Sequence, residues 1–287
     1  MHAISSFLFE QNCDIAEHQQ FDDTRSDAFF LRTSFVSAGD VDIEHLTAQF
    51  ADVAAKFGMT FTFNGSDLPR VIVMVSKMGH CLNDLIFRWR AGNLGAELVA
   101  VVSNHEVLRP MAEAAGLPFV HVPVTPTTKP EAEAELLSLV DRYDADLVVL
   151  ARYMQVLSDD ACRALRGRAI NIHHSFLPGF KGAKPYHQAF DRGVKQVGAT
   201  AHYVTPDLDE GPIIEQEVIR IDHTFDRCDS PPSGRTPKPS HSPGPCAGTA
   251  RTASCFTDTG RSSSVEAASP PTAVCGWPAR NRRHARG

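Results

Sequence analysis

From residue 66 to residue 225 the chain alternates short, continuous apolar runs with segments whose apolar residues recur at helical spacing. Five runs predict strands, at 71–75, 97–102, 119–124, 146–151 and 169–172. A helix is predicted after each of the first four. Apolar strands separated by helices are typical of a mostly parallel sheet covered on both faces. Two later segments, 196–204 and 213–221, predict a final pair of strands in an antiparallel arrangement.

Residues 1–65 show a different order of elements, namely helix, strand, strand, helix and strand. The predicted helices cover 3–10 and 43–57, and the predicted strands cover 14–21, 29–36 and 59–63. A polar segment joins the first two strands, as expected for a hairpin. Gly58 follows the second helix and predicts its end. We therefore expect a small α+β domain before the α/β domain.

The composition changes at about residue 226. Nine of the 19 prolines and four of the seven cysteines lie in residues 226–287, where apolar periodicity vanishes. Such a segment cannot bury enough surface to offset its chain entropy, so a disordered tail is predicted. A change of reading frame near Phe225 is the alternative, because the helix expected after residue 224 does not follow. The predicted domains are thus 1–65 and 66–225, followed by the tail.

Composition and charge narrow the function classes. The net charge of −6 does not favour binding to nucleic acid or to an anionic membrane. No apolar run is long enough to span a bilayer. Cys13, Cys81 and Cys162 are scattered without metal-ligand spacing, which indicates reduced thiols and a cytoplasmic protein.

The strongest chemical signal follows the predicted strand 169–172. Asn171 and His173 are two residues apart, so both side chains can face the same side of an extended backbone. Asp209 lies on an acidic turn before the last predicted strand. An amide can stabilise an oxyanion, an imidazole can move protons, and a carboxylate can orient the imidazole or a water. These residue types suit acyl chemistry.

Four motifs in this order resemble a known family: LARYMQVLS at 150–158, NxHxSxLP at 171–178, GxTxH at 198–202 and DxGxII at 209–214. They are similar to the N10-formyltetrahydrofolate formyltransferase fold, and the resemblance covers roughly residues 68–223. It implies a Rossmann-like α/β domain whose catalytic residues are Asn171, His173 and Asp209. Several motifs with matching separations make the resemblance specific.

The same resemblance implies where a folate would bind. The pterin is expected near the segment after the fourth strand and against the loop 207–210, and a basic residue is expected near the folate tail. The implied substrate-binding residues are Met154, Gln155, Val156, Leu157, Asp207 and Lys129. No cofactor is implied, because 10-formyltetrahydrofolate is itself the substrate.

Residues 1–65 resemble an ACT domain, a ferredoxin-like unit, without its first strand. ACT domains bind small ligands, often amino acids, so the resemblance implies an amino-acid effector. A ferredoxin-like sheet that lacks one strand is expected to expose an edge. The family is typically oligomeric, which implies a homo-oligomer.

Two branches of the fold compete. Glycinamide ribonucleotide transformylases hold a substrate phosphate on Gly-rich backbone after the first strand, where this chain has Lys77 and Met78. His174 stands where transformylases usually have proline. With the ACT-like domain, these features favour formyltetrahydrofolate deformylases, which release tetrahydrofolate and formate for purine synthesis. Formyl transfer to an amine, or an inactive folate- or amino-acid-binding remnant, are the alternatives.

Three further histidines raise the question of a metal. His174, His187 and His202 do not show the spacing of the usual zinc-ligand patterns. Structural or solvent-facing roles are therefore expected for them, and no metal site is predicted.

Overall fold

The computed structural model describes residues 2–24, 27–37, 39, 42–65, 67–179, 188, 191–220 and 263–268. It divides into two compact units between Leu68 and Pro69, and the first unit also contains the strand at 263–268. No helix in these ranges is long and apolar enough to cross a membrane.

The first unit contains the predicted elements in the predicted order. They are α1 (His2–Glu10), β1 (Cys13–Asp23), β2 (Ala28–Ser37), α2 (Ile43–Phe57) and β3 (Thr60–Asn64). Strands β1 and β2 form an antiparallel hairpin. The carboxylate of Asp42 caps α2 by accepting from the backbone N–H groups of Glu44 and His45, and Gly58 ends the helix at a positive φ of 62°.

Aromatic side chains dominate the core of the first unit. Phe50 is fully buried at the centre of the cluster. Its ring centroid lies 5.0 Å from that of Phe7 and 4.8 Å from that of Phe61, in edge-to-face arrangements. These contacts join both helices to β3, because α1 carries Phe7 and α2 carries Phe50.

A strand from the C-terminal segment completes the sheet of the first unit. The strand β11 (Ser263–Ala268) lies between β2 and β3 and is antiparallel to both, giving the order β1-β2-β11-β3. The sequence predicted that the missing strand would leave an exposed edge. This prediction is wrong, because β11 pairs with both β2 and β3. The position is central, and it offers two rows of backbone donors and acceptors that an extended segment can pair with. The prediction of a tail without regular structure is wrong for these six residues, and the rest of 226–287 lies outside the described residues.

The second unit is an α/β domain. Its strands are β4 (Arg70–Val75), β5 (Glu97–Ser103), β6 (Phe119–His121), β7 (Leu147–Leu150), β8 (Ala169–His173), β9 (Gln196–Tyr203) and β10 (Ile213–Arg220). Its helices are α3 (His80–Arg90), α4 (Arg109–Ala114), α5 (Lys129–Arg142) and α6 (Asp159–Ala164), and a 3-10 turn covers Glu106–Leu108.

The sheet of this unit has the order β10-β9-β8-β7-β4-β5-β6. Strands β4 to β8 pair in parallel, whereas β9 is antiparallel to both β8 and β10. The predicted mostly parallel sheet with a final antiparallel pair is confirmed. β6 ends earlier than predicted, because Pro123 has no N–H to continue the ladder.

The strand order fixes where a ligand can bind. The chain runs from the central β4 outward to β5 and β6, then returns to β7 on the other side of β4. The connections therefore diverge between β4 and β7. In open α/β sheets a crevice forms at such a switch point, outside the carboxyl ends of the strands. The segments after β4, β7 and β8 lie at this edge.

Candidate active site

The three residues predicted to carry the chemistry converge at the carboxyl end of β8. Asn171 and His173 lie on one face of the strand, because side chains alternate along it. Nδ1 of His173 lies 3.4 Å from Oδ1 of Asp209, and both side chains are almost fully buried, at 6% and 4% exposure. The imidazole and the carboxylate therefore interact with little screening by solvent.

His202 fixes the orientation of the Asn171 amide. It lies on β9 directly opposite Asn171. Its Nδ1 is 2.9 Å from the carbonyl oxygen of Tyr203, so Nδ1 must carry the proton and donate. Burial lowers the pKa of His202. The neutral ring can then accept at Nε2 from Nδ2 of Asn171, 3.2 Å away. The second N–H of that amide remains to donate elsewhere.

The turn that carries Asp209 is held close to β9. Asp209 has a positive φ of 57°, a conformation that non-glycine residues adopt rarely and often at functional sites. Two residues later, a Cβ on Gly211 would overlap the carbonyl oxygen of Tyr203. Only glycine fits there, and the adjacent carbonyl oxygen of Pro212 accepts from the Tyr203 N–H at 2.9 Å. This close approach brings Asp209 to His173.

Thr200 fastens the loop that follows β8. Its fully buried hydroxyl donates to the carbonyl oxygen of Ser175 at 2.8 Å. Oγ1 of Thr200 in turn accepts from the Leu177 N–H at 3.2 Å and from Nε2 of Gln216 at 3.1 Å. The loop that begins at His174 is thus attached to β9 and β10 by hydrogen bonds that meet at the buried Thr200 hydroxyl.

Thr200→Val is expected to destabilise the protein by about 1–3 kcal/mol, because buried backbone groups of Ser175 and Leu177 lose their partner. Valine keeps the shape of threonine, so the change isolates the hydroxyl. Urea unfolding followed by circular dichroism measures the difference. Thr127→Val removes an exposed hydroxyl in the same unit as a control. Equal stability of the two variants would contradict the assignment.

A cleft of about 330 Å³ opens beside these residues. The segment after β7 forms one wall, and the loop before Asp209 forms another. Met154, Val156 and Leu208 expose 55%, 56% and 51% of their surface although they are apolar. Exposed apolar side chains around polar catalytic groups are typical of a site for a flat organic ligand. The Met154 N–H donates to Oγ of Ser76 at 3.0 Å, which ties this wall to the end of β4.

Most of the predicted substrate-binding residues line this cleft, and two do not. Met154, Gln155, Val156 and Leu157 are among its lining residues. Lys129 instead lines a small adjoining pocket that shares Gln155 with the cleft, and its Nζ lies 3.9 Å from Oε1 of Glu133. Asp207 is exposed on the loop at the rim, where its carbonyl oxygen accepts from Oγ1 of Thr205. Within that loop, the neighbouring residues Leu208 and Asp209 line the cleft.

The sequence did not point to Arg152 or to the role of His202. Both line the cleft. Each lies inside one of the four sequence motifs, but the surroundings of each side chain depend on strand pairing and loop geometry. Of the three histidines considered for zinc, His187 lies outside the described residues. Within the described ranges, no three His, Cys, Asp or Glu side chains form a group that could hold a metal ion.

Comparison with known proteins identifies the family. Residues 69–231 match the formyl transferase family. A formyltetrahydrofolate deformylase of Corynebacterium sp. (strain P-1) is 51% identical over 237 residues, which cover 82% of this chain and 83% of the relative. The chain belongs to the formyltetrahydrofolate deformylase family. A second member of the family, from Bacillus subtilis (strain 168), is 50% identical and covers 77% of this chain and 75% of its own length.

Solved structures separate the two branches of the fold. The crystal structure of the family member from Burkholderia mallei superposes with a TM-score of 0.75 at 46% identity, covering 89% of this chain and 85% of that chain. A glycinamide ribonucleotide transformylase from Symbiobacterium toebii gives 0.52 at 32% identity, covering 56% and 77%. The predicted formyltransferase fold and the predicted resemblance to deformylases are both confirmed.

Proposed function

We propose that this chain hydrolyses 10-formyltetrahydrofolate to tetrahydrofolate and formate. The names of its relatives support the substrate and the reaction. The observation that carries the proposal is the convergence of an amide, an imidazole and a carboxylate, Asn171, His173 and Asp209, at one wall of a cleft with apolar rims. Those three groups supply what the hydrolysis of a formamide requires.

In the proposed mechanism, His173 transfers protons and Asp209 positions the reacting groups. The carboxylate of Asp209 holds the imidazole, or a water beside it, in position for attack on the formyl carbon. Water loses a proton to the imidazole of His173 as its oxygen bonds to that carbon. The bond from the carbon to N10 then breaks, and His173 delivers a proton to N10. The products are tetrahydrofolate and formic acid, which ionises to formate.

Asn171 would stabilise the tetrahedral intermediate. One N–H of its amide is committed to Nε2 of His202, so the amide cannot rotate freely. The other N–H can donate to the oxygen that becomes negative when water adds. A donor fixed in advance stabilises this charge without reorganising during the reaction.

The folate would bind along the segment after β7. The backbone of residues 154–157 can offer hydrogen bonds to the pterin edge, while exposed Met154 and Val156 supply apolar walls. We assign Asp207 and Lys129 to the outer part of the ligand. Lys129 has a partly exposed ammonium group that suits a carboxylate of the folate tail. The folate is substrate rather than cofactor in this proposal.

The finer expectations about partners and context belong to the same proposal. We propose assembly into a homo-oligomer in the cytoplasm, with formate supplied to purine synthesis. The ferredoxin-like sheet of the first unit supports an amino-acid effector there.

One assay tests the function. Purified protein is incubated with 10-formyltetrahydrofolate alone, and formate and tetrahydrofolate are measured. Equal amounts of both products without any acceptor are expected. If turnover requires glycinamide ribonucleotide, the protein is a transferase, for which the structural similarity to transformylases is the supporting observation. Folate binding without turnover in either condition would identify an inactive binding protein.

A further inference from the structure

Arg152 places a positive charge in the cleft that the proposed mechanism does not use. It follows β7 at the switch point of the sheet and lines the cleft. Its Nε and Nη1 are buried and have no hydrogen-bond partner among the residues that the structure describes. The ion pairs within the described ranges do not include it. Buried donors of a cation are costly to leave unpaired, which indicates a binding partner that comes from outside the chain.

The neighbours of Arg152 do not neutralise it. Burial and the charge of Arg152 lower the pKa of His80. Burial, with Arg152 next in importance, lowers the pKa of His174 to about 3. Both imidazoles are therefore neutral at pH 7. Asp209, the carboxylate of the cleft, faces His173 and His202. The guanidinium thus stands beside two neutral rings.

The backbone holds Arg152 in a conformation with its own cost. Its φ is 65°, in the left-handed region. Residues held there cluster at functional sites, where the surrounding structure maintains them. The surrounding structure does so here, because the N–H of Met154, two residues later, is fixed to Ser76 at the end of β4, and Ser76 in turn donates to Oδ1 of Asn104 at 2.7 Å.

We infer that Arg152 forms a binding site for a small carboxylate in the cleft, and that its occupant is formate. The planar guanidinium matches a carboxylate, to which it can donate two parallel hydrogen bonds. The identity of the occupant rests on the proposed function. In that reaction the formyl group is neutral before hydrolysis, and formate carries one negative charge afterwards. A guanidinium whose Nε and Nη1 have no hydrogen-bond partner among the described residues therefore gains one when the product forms.

Formate binding without folate tests the inference. Sodium formate is titrated into the full chain by isothermal calorimetry, with sodium chloride adjusted to keep the ionic strength constant. Arg152→Met is expected to weaken formate binding by about 10- to 100-fold, because hydrogen bonds to the charged guanidinium are lost. Arg163→Met removes the same charge from an exposed helix surface and is expected to bind formate as the unmodified chain does. Circular dichroism checks that each variant is folded.

A second variant keeps the test decisive if Arg152→Met does not fold. Arg152→Lys retains the charge but loses the planar fork, and it is expected to bind formate several-fold more weakly. Equal formate affinity in this variant, or in Arg152→Met, overturns the inference. So does failure of the unmodified chain to bind formate. Binding of free glutamate in place of formate, with the same dependence on Arg152, would assign the site to the folate tail and also overturn it.

The result of the formate-binding test can be distinguished from the result of the hydrolysis assay that tests the proposed function. Hydrolysis with formate binding that does not depend on Arg152 leaves the proposed function standing and removes the formate site. Formate binding that depends on Arg152 in a chain without hydrolytic activity supports the carboxylate site and contradicts the proposed function.

Discussion

Replacing Asp209 by asparagine is expected to lower kcat for deformylation by about 10²- to 10⁴-fold, the usual contribution of positioned acid–base groups. Asparagine has the same size, so the turn with its positive φ at residue 209 can form as before. The negative charge beside His173 disappears, however. The His173 imidazole, which accepts and delivers a proton in the proposed mechanism, then lacks the carboxylate 3.4 Å away that holds it in position. We therefore expect a large loss of rate in a folded protein.

Steady-state formate release measures this effect, and thermal unfolding verifies the fold. Asp160→Asn provides the matched control, because it removes a carboxylate that is 92% exposed on α6. The control is expected to keep the full rate. The KM for the folate should change little in Asp209→Asn, because the carboxylate acts on the imidazole and the water. A rate within a few-fold of the unmodified chain would show that Asp209 has another role.

Most of the α/β unit follows from the hydrophobic pattern. Parallel strands buried on both faces must be apolar at successive positions, so Val71–Val75 and Leu147–Leu150 stand out from their amphipathic neighbours. Helix ends were equally visible, because Ser158 caps α6 through its hydroxyl, which accepts from the Ala161 N–H. Among the strands of this unit, β6 departs most from its predicted bounds, because Pro123 interrupts the ladder.

The site was predictable in part, for a physical reason. Asn171 and His173 share a strand, and the alternation of side chains places them together whatever the rest of the fold does. The amide orientation depends on His202, and this requires the register of β9 against β8. The buried Nε and Nη1 of Arg152 lack a hydrogen-bond partner within the described part of the chain, and this depends on the surroundings of the cleft. Local patterns do not contain such long-range pairings.

The strand β11 is the clearest case of this limit. Its sequence, SSVEAA, has neither the apolar alternation nor the β-branched content that predicts a strand. Pairing with β2 and β3 gives its backbone groups partners on both sides. A central position in a sheet can therefore be filled by a segment with little β-strand propensity of its own. Because β3 and β11 are about 200 residues apart in the sequence, local patterns do not reveal this pairing.

Asn171→Ala is expected to lower kcat by about 10²- to 10³-fold, the usual cost of removing one oxyanion donor. The oxygen of the intermediate would lose a donor that is fixed before the reaction by Nε2 of His202. The substrate carbonyl gains less from this donor than the intermediate does, so kcat should fall more than affinity. Single-turnover formate release measures the chemical step directly.

Asn171→Asp separates oxyanion stabilisation from a structural role. Aspartate has the same shape as asparagine, but its negative charge would repel the developing oxyanion, so this variant should be slower than Asn171→Ala. If Asn171 only supported β8 and β9, the loss of rate in each variant should follow its loss of thermal stability, because neither alanine nor aspartate can donate to Nε2 of His202. A large loss of rate in variants that keep their melting temperature, with aspartate slower than alanine, therefore indicates oxyanion stabilisation.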